Sequence, residues 1–310
     1  MGDKSGIEWT DATWNPIVGC SIVSPGCTNC YAMRMAYRLD AIAQDHGKPA
    51  AGIYHYLGTT QQSRGGPVWT GKLAIAPDKI FNQPLRWKKP RRVFVNSMGD
   101  LFHEFVPDEA IDRVFAIMAL CPQHTFQVLT KRSKRMREYM AGDWSVRVYG
   151  ALDGKPGSGA ACGWLAGGKP LRNVWLGVSA EDQTRADERI PDLLATPAAK
   201  RFVSAEPLLG PINFQNICPE DTQFGSLTGE GWSCGNTEDC RISHPKLDWI
   251  ICGGESGPGF RPMPIAWAEN IMRQCKAAGT AFFFKQDSGA RSGQRGIASD
   301  ALWASKEFPA

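Results

Sequence analysis

Along most of the chain a short apolar run is followed by a stretch with helical periodicity, and this alternation restricts the fold more than any other feature. The apolar runs are Arg92-Val93-Phe94-Val95-Asn96, Thr125–Leu129, Asn173–Val178, Arg201–Val203, Leu247–Cys252 and Ala281–Phe284. A further strand is expected over Trp14–Val18. The periodic stretches run from Tyr31 to about Ala43, from Pro107 to Leu120, from Ser133 to about Met140, from Gln183 to Leu194 and from Pro264 to Ala278. Asp108 and Glu109 fall in the first turn after Pro107, where a helix dipole favours acids. Strand-then-helix order requires helical crossovers and therefore a parallel sheet. Six or seven such units predict an α/β fold built on a partial or complete parallel (β/α) barrel, with a doubly wound open sheet as the competing architecture.

Three stretches break the alternation and are expected to be loop insertions in a single domain covering residues 1–310: about 46–90, 142–172 and 214–246. Apolar content is 43%, sufficient for a full core. No run of 18 apolar residues occurs, so no membrane partner is expected. The start, Met1-Gly2-Asp3-Lys4-Ser5-Gly6, lacks the apolar centre of a signal peptide, and the expected location is cytoplasmic. The net charge of +4 permits an acidic partner without requiring one.

Ten cysteines are many for such a chain, and their layout is not that of a disulfide framework. Cys121 and Cys275 lie in helical patterns and Cys252 ends an apolar run. Cys20, Cys27 and Cys30 are different: they form C-x6-C-x2-C within eleven residues, with no fourth cysteine or histidine nearby. A closed structural zinc site takes four protein ligands. Three clustered ligands suggest a metal centre with one open position, the alternative being zinc with a remote fourth ligand.

Polar residues gather where the apolar runs end. They are Asn96-Ser97-Met98-Gly99-Asp100, Thr130-Lys131-Arg132, Ser179-Ala180-Glu181, Ser204-Ala205-Glu206-Pro207, Gly253-Gly254-Glu255-Ser256-Gly257 and Lys285-Gln286-Asp287. In parallel α/β folds the carboxyl ends of strands form the active face. The cysteine loop follows the strand expected at Trp14–Val18, so it is expected to open on that face.

These residues resemble those of radical S-adenosylmethionine (radical SAM) enzymes. More narrowly, they are similar to a bacterial and phage three-Cys-motif family distantly related to spore photoproduct lyase. The narrow resemblance rests on Ile7–Pro16, the cysteine loop, Asn96–Phe102, Val203–Leu208 and Gly253–Gly257. The chain departs from the common radical SAM spacing in its first gap, which holds six residues here rather than three. The resemblance implies a barrel of the radical SAM type, with Cys20, Cys27 and Cys30 holding a 4Fe-4S cluster whose fourth iron binds S-adenosylmethionine. It puts Ser97, Gly99 and Asp100 near the methionine end of that cofactor, and Ser179 and Glu181 near its ribose or carboxylate. The usual glycine-glycine-glutamate motif is absent in that form at 97–100. Ser204, Glu206, Gly253, Gly254 and Glu255 complete the cofactor-facing candidates. Cys252 corresponds to a strand-end hydrogen donor of the lyase, the other reading being a small buried residue. A reductant protein is the implied electron donor, and repair or modification of a nucleic acid or nucleotide the implied activity.

Two basic runs bear on that substrate: Lys131, Arg132, Lys134, Arg135 and Arg137, and Lys88, Lys89, Arg91 and Arg92. Such runs bind phosphate backbones or simply form a solvated face. Cys218, Cys234, Cys240 and His244 are candidates for a second metal ion or cluster, with an unliganded loop as the alternative. A non-catalytic, metal-stabilised nucleic-acid-binding protein is the competing function for the whole chain.

Overall fold

The computed structural model describes residues 5–45, 52–152, 158–218, 222–233 and 241–310. Seven strands form the main sheet: β1 (Ala12–Trp14), β2 (Arg92–Val95), β3 (Thr125–Thr130), β4 (Val174–Ser179), β5 (Lys200–Ala205), β6 (Trp249–Gly253) and β7 (Ala281–Gln286). They lie side by side in the order of the sequence, with no reversal. The registers of β1 with β2, β2 with β3, β5 with β6 and β6 with β7 are parallel. Sequential winding of this kind belongs to a β/α barrel, whereas a doubly wound sheet reverses its strand order at a switch point. The fold is therefore α/β with barrel-type winding of seven strands.

The chain divides into two compact units, Met1–Trp175 and Leu176–Ala310. In the first, the helices are α1 (Tyr31–Asp45), α2 (Asp108–Ala119), α3 (Ser133–Ala141), α4 (Trp144–Leu152) and α5 (Ser158–Leu165). Trp14, Val93, Val95, Phe126 and Val128 form its sheet core. Asp108 and Glu109 occupy the first turn of α2, as expected, and the helix buries Ile111, Val114, Phe115 and Met118. In the second unit α6 (Gln183–Ala195) starts at Asp182, whose carboxylate accepts the Arg185 amide at 2.9 Å. Helix α7 (Ile265–Ala278) ends on Gly279 in the left-handed conformation, which closes its last turn. Strand β6 is buried at every position, as a strand covered on both faces must be. The outer edge of β7 is occupied by Ser305–Glu307: Phe284 N donates to Ser305 O at 2.8 Å and Glu307 N to Phe282 O at 3.0 Å.

One expectation is corrected. The strand expected over Trp14–Val18 is split, because Pro16 has no amide to donate to the ladder. Ala12–Trp14 joins the main sheet, while Ile17–Val18 pairs antiparallel with Ala74–Ile75. The three insertions carry secondary structure of their own. The first contains an antiparallel hairpin, Thr60–Ser63 with Gly66–Trp69. The second contains α4 and α5, and the third a three-stranded antiparallel sheet of Thr222–Gly225, Glu230–Ser233 and Arg241–Ser243.

Candidate metal centre and strand-end sites

The cysteine loop is fixed at its base by close backbone contact. Gly19 adopts φ +93°, and a Cβ there would lie 2.1 Å from the Lys72 carbonyl oxygen, so only glycine fits. Its amide donates to Met98 O at 3.1 Å. Asn15, just after β1, ties the same segment: its Oδ1 accepts from Ser97 Oγ at 3.1 Å and from the Met98 amide at 2.9 Å. The loop thus sits beside residues 96–99 at the carboxyl end of β2.

Each cysteine has a different local support. Cys27 ends a short 3-10 turn over Pro25–Cys27, with Ser24 Oγ 3.9 Å from its sulfur. Cys30 directly precedes α1, and the Ala32 and Met33 amides hydrogen-bond its sulfur, favouring thiolate. Burial acts the other way and raises the Cys30 pKa overall. Cys20 lies in irregular backbone and is pushed up to about 12, chiefly by burial and then by the Asp100 charge, with Arg132 opposing both. A bound metal would displace these protons. Behind the loop, Cys20 and Cys30 pack on Val18, Ala32, Met33, Ala36, Tyr56, Trp69 and Met98.

Arg132 is the hub of the site. Its Nη1 donates to Cys20 Sγ at 3.5 Å and to Asp100 Oδ2 at 3.1 Å. Nη2 donates to Ser21 Oγ at 2.7 Å, and Nε to both Glu104 oxygens at 3.2 Å. Asp100 is saturated, because it also accepts from Phe102 N, Thr130 Oγ1 and Lys131 N at 3.0, 2.7 and 3.1 Å. The carboxylate therefore clamps the ends of β2 and β3 together and positions Arg132. His103 Nδ1 accepts the Phe105 amide, so Nε2 carries the proton and donates to Ser21 Oγ at 2.9 Å. Burial and the Arg132 charge keep that imidazole below its ordinary pKa.

Asn96 was not among the sequence candidates. It is 2% exposed, has φ +58°, and neither amide atom of its side chain has a hydrogen-bond partner among the described residues. A strained backbone and an orphaned amide at a strand end are features that ligand sites tolerate. Ser97 and Gly99 flank it, Ser97 with its hydroxyl on Asn15 and Gly99 with its amide on Asn96 O at 3.2 Å.

In the second unit the three strand-end glutamates are each matched by a base, while Asp287 accepts the Ser288 and Ile297 amides at 2.6 and 3.0 Å. Glu181, fully buried, accepts from Arg189 Nη1 at 3.1 Å, and the same nitrogen holds Ser179 O at 2.8 Å. Glu206 faces Lys285 Nζ at 2.9 Å and accepts from Ser204 Oγ at 3.3 Å. Ser179 Oγ donates to Glu206 O at 3.2 Å. A Cβ on Gly253 would lie 2.8 Å from Glu206 Oε1, so the structure brings Ser179, Ser204, Glu206 and Gly253 together. Gly254 is pressed on Ser288, where a Cβ would meet the Ser288 amide at 2.4 Å. Glu255 accepts from the Arg261 amide and Nε at 2.8 and 3.0 Å, and its other oxygen pairs with Arg261 Nη2. Cys252 is fully buried, with its pKa raised well above the ordinary value by burial and by Glu206.

The basic runs separate. On α3 only Lys134 of the five is exposed; Arg132 is buried and Arg135 pairs with Asp108. Lys88, Lys89, Arg91 and Arg92 lie at the opposite, amino end of β2, where Arg92 pairs with Asp11 and Arg91 stacks on Trp87. Of the second metal set, Cys234 and Cys240 lie outside the described residues. Cys218 is exposed beside Asn216, and His244 packs edge-on to Phe224.

Among the described residues no three His, Cys, Asp or Glu side chains are grouped to hold a metal ion. In a 4Fe-4S cluster each thiolate takes a different iron, so convergence on a single point is not its requirement. The donor set is what can be tested, and it fits. Cys20, Cys27 and Cys30 are unpaired in disulfides, two of them carry amide or guanidinium donors to sulfur, and the loop has an apolar backing.

Fold and loop together define an α/β protein with sequentially wound parallel strands and a three-cysteine loop beside the carboxyl end of its second strand. The chain belongs to the family described as "Protein of unknown function (DUF5131)", whose model matches residues 4–300. No curated protein and no solved structure matches it.

Proposed function

We propose that this chain is a radical SAM enzyme that acts on a nucleic acid or nucleotide. The observation that carries the reading is the loop of Cys20, Cys27 and Cys30, with the first turn of α1 aimed at Cys30 and Arg132 at Cys20. Bound there, a 4Fe-4S cluster with one iron free of protein ligands would bind S-adenosylmethionine and supply the electron that breaks its C–S bond, giving a 5'-deoxyadenosyl radical. The chain's own contribution is to hold three thiolates, keep water from two of them with Val18, Met33, Tyr56 and Met98, and fix Cys20 through Arg132. Asn96 offers a buried amide beside the loop for a polar group of a ligand. Lys134, exposed on α3 near the same strand ends, supports a phosphate-bearing substrate.

Anaerobic reconstitution tests the reading. Brown protein with about four irons per chain, releasing 5'-deoxyadenosine with dithionite and S-adenosylmethionine, is the expected result. Colourless protein with stoichiometric zinc overturns it and favours a non-catalytic metal-stabilised binding protein. The substrate class is tested separately by titrating DNA and RNA at low salt, where a phosphate-binding chain retains measurable affinity.

A further inference from the structure

We infer that Arg132 is a positioning residue of the metal centre: it locks Cys20 into the ligand set and places a fixed positive charge beside that side of the cluster. The metal half of this inference rests on the radical SAM reading; the locking of Cys20 does not. Cys20 needs such a device more than the other two cysteines. Cys27 is held by its 3-10 turn and Cys30 by α1, whereas six residues of chain separate Cys20 from Cys27 and no helix or turn begins at Cys20. Arg132 grips this end twice, at Cys20 Sγ (3.5 Å) and at Ser21 through Oγ (2.7 Å) and the carbonyl oxygen (3.4 Å). The guanidinium cannot swing away, because Asp100 and Glu104 take its remaining donors and Asp100 is itself held by four donors. Its side chain is 5% exposed, so the charge is poorly screened. The planar fork reaches four groups at once, which an ammonium cannot do. Hydrogen bonds and charge at cluster sulfurs set the reduction potential, and a cation at Cys20 favours the reduced, more negative state.

The test compares Arg132→Gln, Arg132→Lys and Glu104→Gln with wild type, using Arg135→Gln as the control on the same helix. In metal-free protein, amide exchange over Gly19–Cys30 is expected to speed up about tenfold in Arg132→Gln, reflecting loss of the local hold. Glu104→Gln should give a smaller acceleration of about threefold, and Arg135→Gln none. Glu104 is largely exposed, so its variant decides the matter if Arg132→Gln does not fold. In reconstituted protein, Arg132→Gln should make reduction about tenfold less favourable, a fall of about 59 mV for one electron, while Arg132→Lys stays near wild type. Unchanged exchange in both Arg132→Gln and Glu104→Gln overturns the positioning role. An unchanged midpoint potential in Arg132→Gln overturns the electrostatic one. Wild-type protein that takes up no iron overturns the radical SAM reading alone, and the exchange result still decides whether Arg132 holds Cys20.

Discussion

The strand ends of the two units carry similar residue types and treat them differently. In the first unit the chemistry is left open: three thiols are unbridged, Asn96 keeps a buried amide without a partner among the described residues, and a single arginine connects a carboxylate to a cysteine. In the second unit it is closed. Glu181, Glu206 and Glu255 are taken up by Arg189, Lys285 and Arg261, and the hydroxyls of Ser179 and Ser204 are spent on Glu206. Both arrangements satisfy the cost of burying charge. Among the described residues Arg189 Nε is the one side-chain atom of these second-unit pairs left without a partner, whereas the first unit keeps three thiols and the Asn96 amide open. The difference teaches that an acid at a strand end is not thereby a ligand contact; what matters is whether the protein has already answered it.

The comparison is broken most directly at the cysteines. Replacing Cys20, Cys27 or Cys30 by alanine should abolish iron uptake on reconstitution while leaving the thermal midpoint within a few degrees of wild type. Replacing buried Cys121 or Cys275 should leave the iron content intact. Iron retained in all three loop variants would remove the distinction between the units.

The second prediction addresses the closed side. Glu181→Gln leaves Arg189 charged, 1% exposed and without its carboxylate. Breaking a buried pair from one side should cost about 3–5 kcal/mol in denaturant unfolding. Replacing both residues by apolar ones should recover much of that loss. A Glu181→Gln protein of wild-type stability that has lost S-adenosylmethionine binding would make Glu181 a ligand contact after all.

How far the sequence reached follows the same division. Strand-helix alternation was legible because buried parallel strands read as continuous apolar runs, and six of the seven strands lie where those runs occur. Pro16 hid the break between β1 and Ile17–Val18, and the hairpin and antiparallel sheet in the insertions were missed because their strands are only three or four residues long. Spacing singled out Cys20, Cys27 and Cys30, and the polar strand ends were visible as a class. Which acids had partners was not, since Arg132–Asp100 and Lys285–Glu206 are far apart in sequence. In the sequence Arg132 forms one charged run with Lys131, Lys134, Arg135 and Arg137, and nothing in the residue types says that one of the five turns inward. Asn96 did carry a signal: asparagine tolerates a left-handed backbone better than other non-glycine residues, and it stands where an apolar run stops.

The short turn that carries Tyr56, Tyr54–Tyr56, supplies a pH test within the first unit. His55 is 5% exposed, both its ring nitrogens lack hydrogen-bond partners among the described residues, and burial lowers its pKa from 6.5 to about 4. Between those values the unfolded chain binds more protons than the folded one, so stability rises with pH across the window. The contribution is complete above pH 6.5 and is lost as pH falls to 4, by about 3 kcal/mol. Unfolding measured from pH 7 to pH 4 should show this slope in wild type, and His55→Phe should flatten it.

The smallest effect separates strain from service most sharply. Asn96→Gly removes a side chain from a left-handed backbone and deletes a buried amide that no described residue satisfies. Relief of the orphaned group is worth about 1–3 kcal/mol, and the greater freedom of glycine in the unfolded chain returns about 0.5–1 kcal/mol of it. The variant should therefore be more stable than wild type by about 1 kcal/mol, although most substitutions in a buried segment destabilise. If the amide serves a ligand of the cysteine site, the same variant should bind iron normally and release 5'-deoxyadenosine more slowly, so that stability and turnover move in opposite directions. Asn96→Gly that is both more stable and fully active would show the open amide to be a packing defect and no part of the cysteine site.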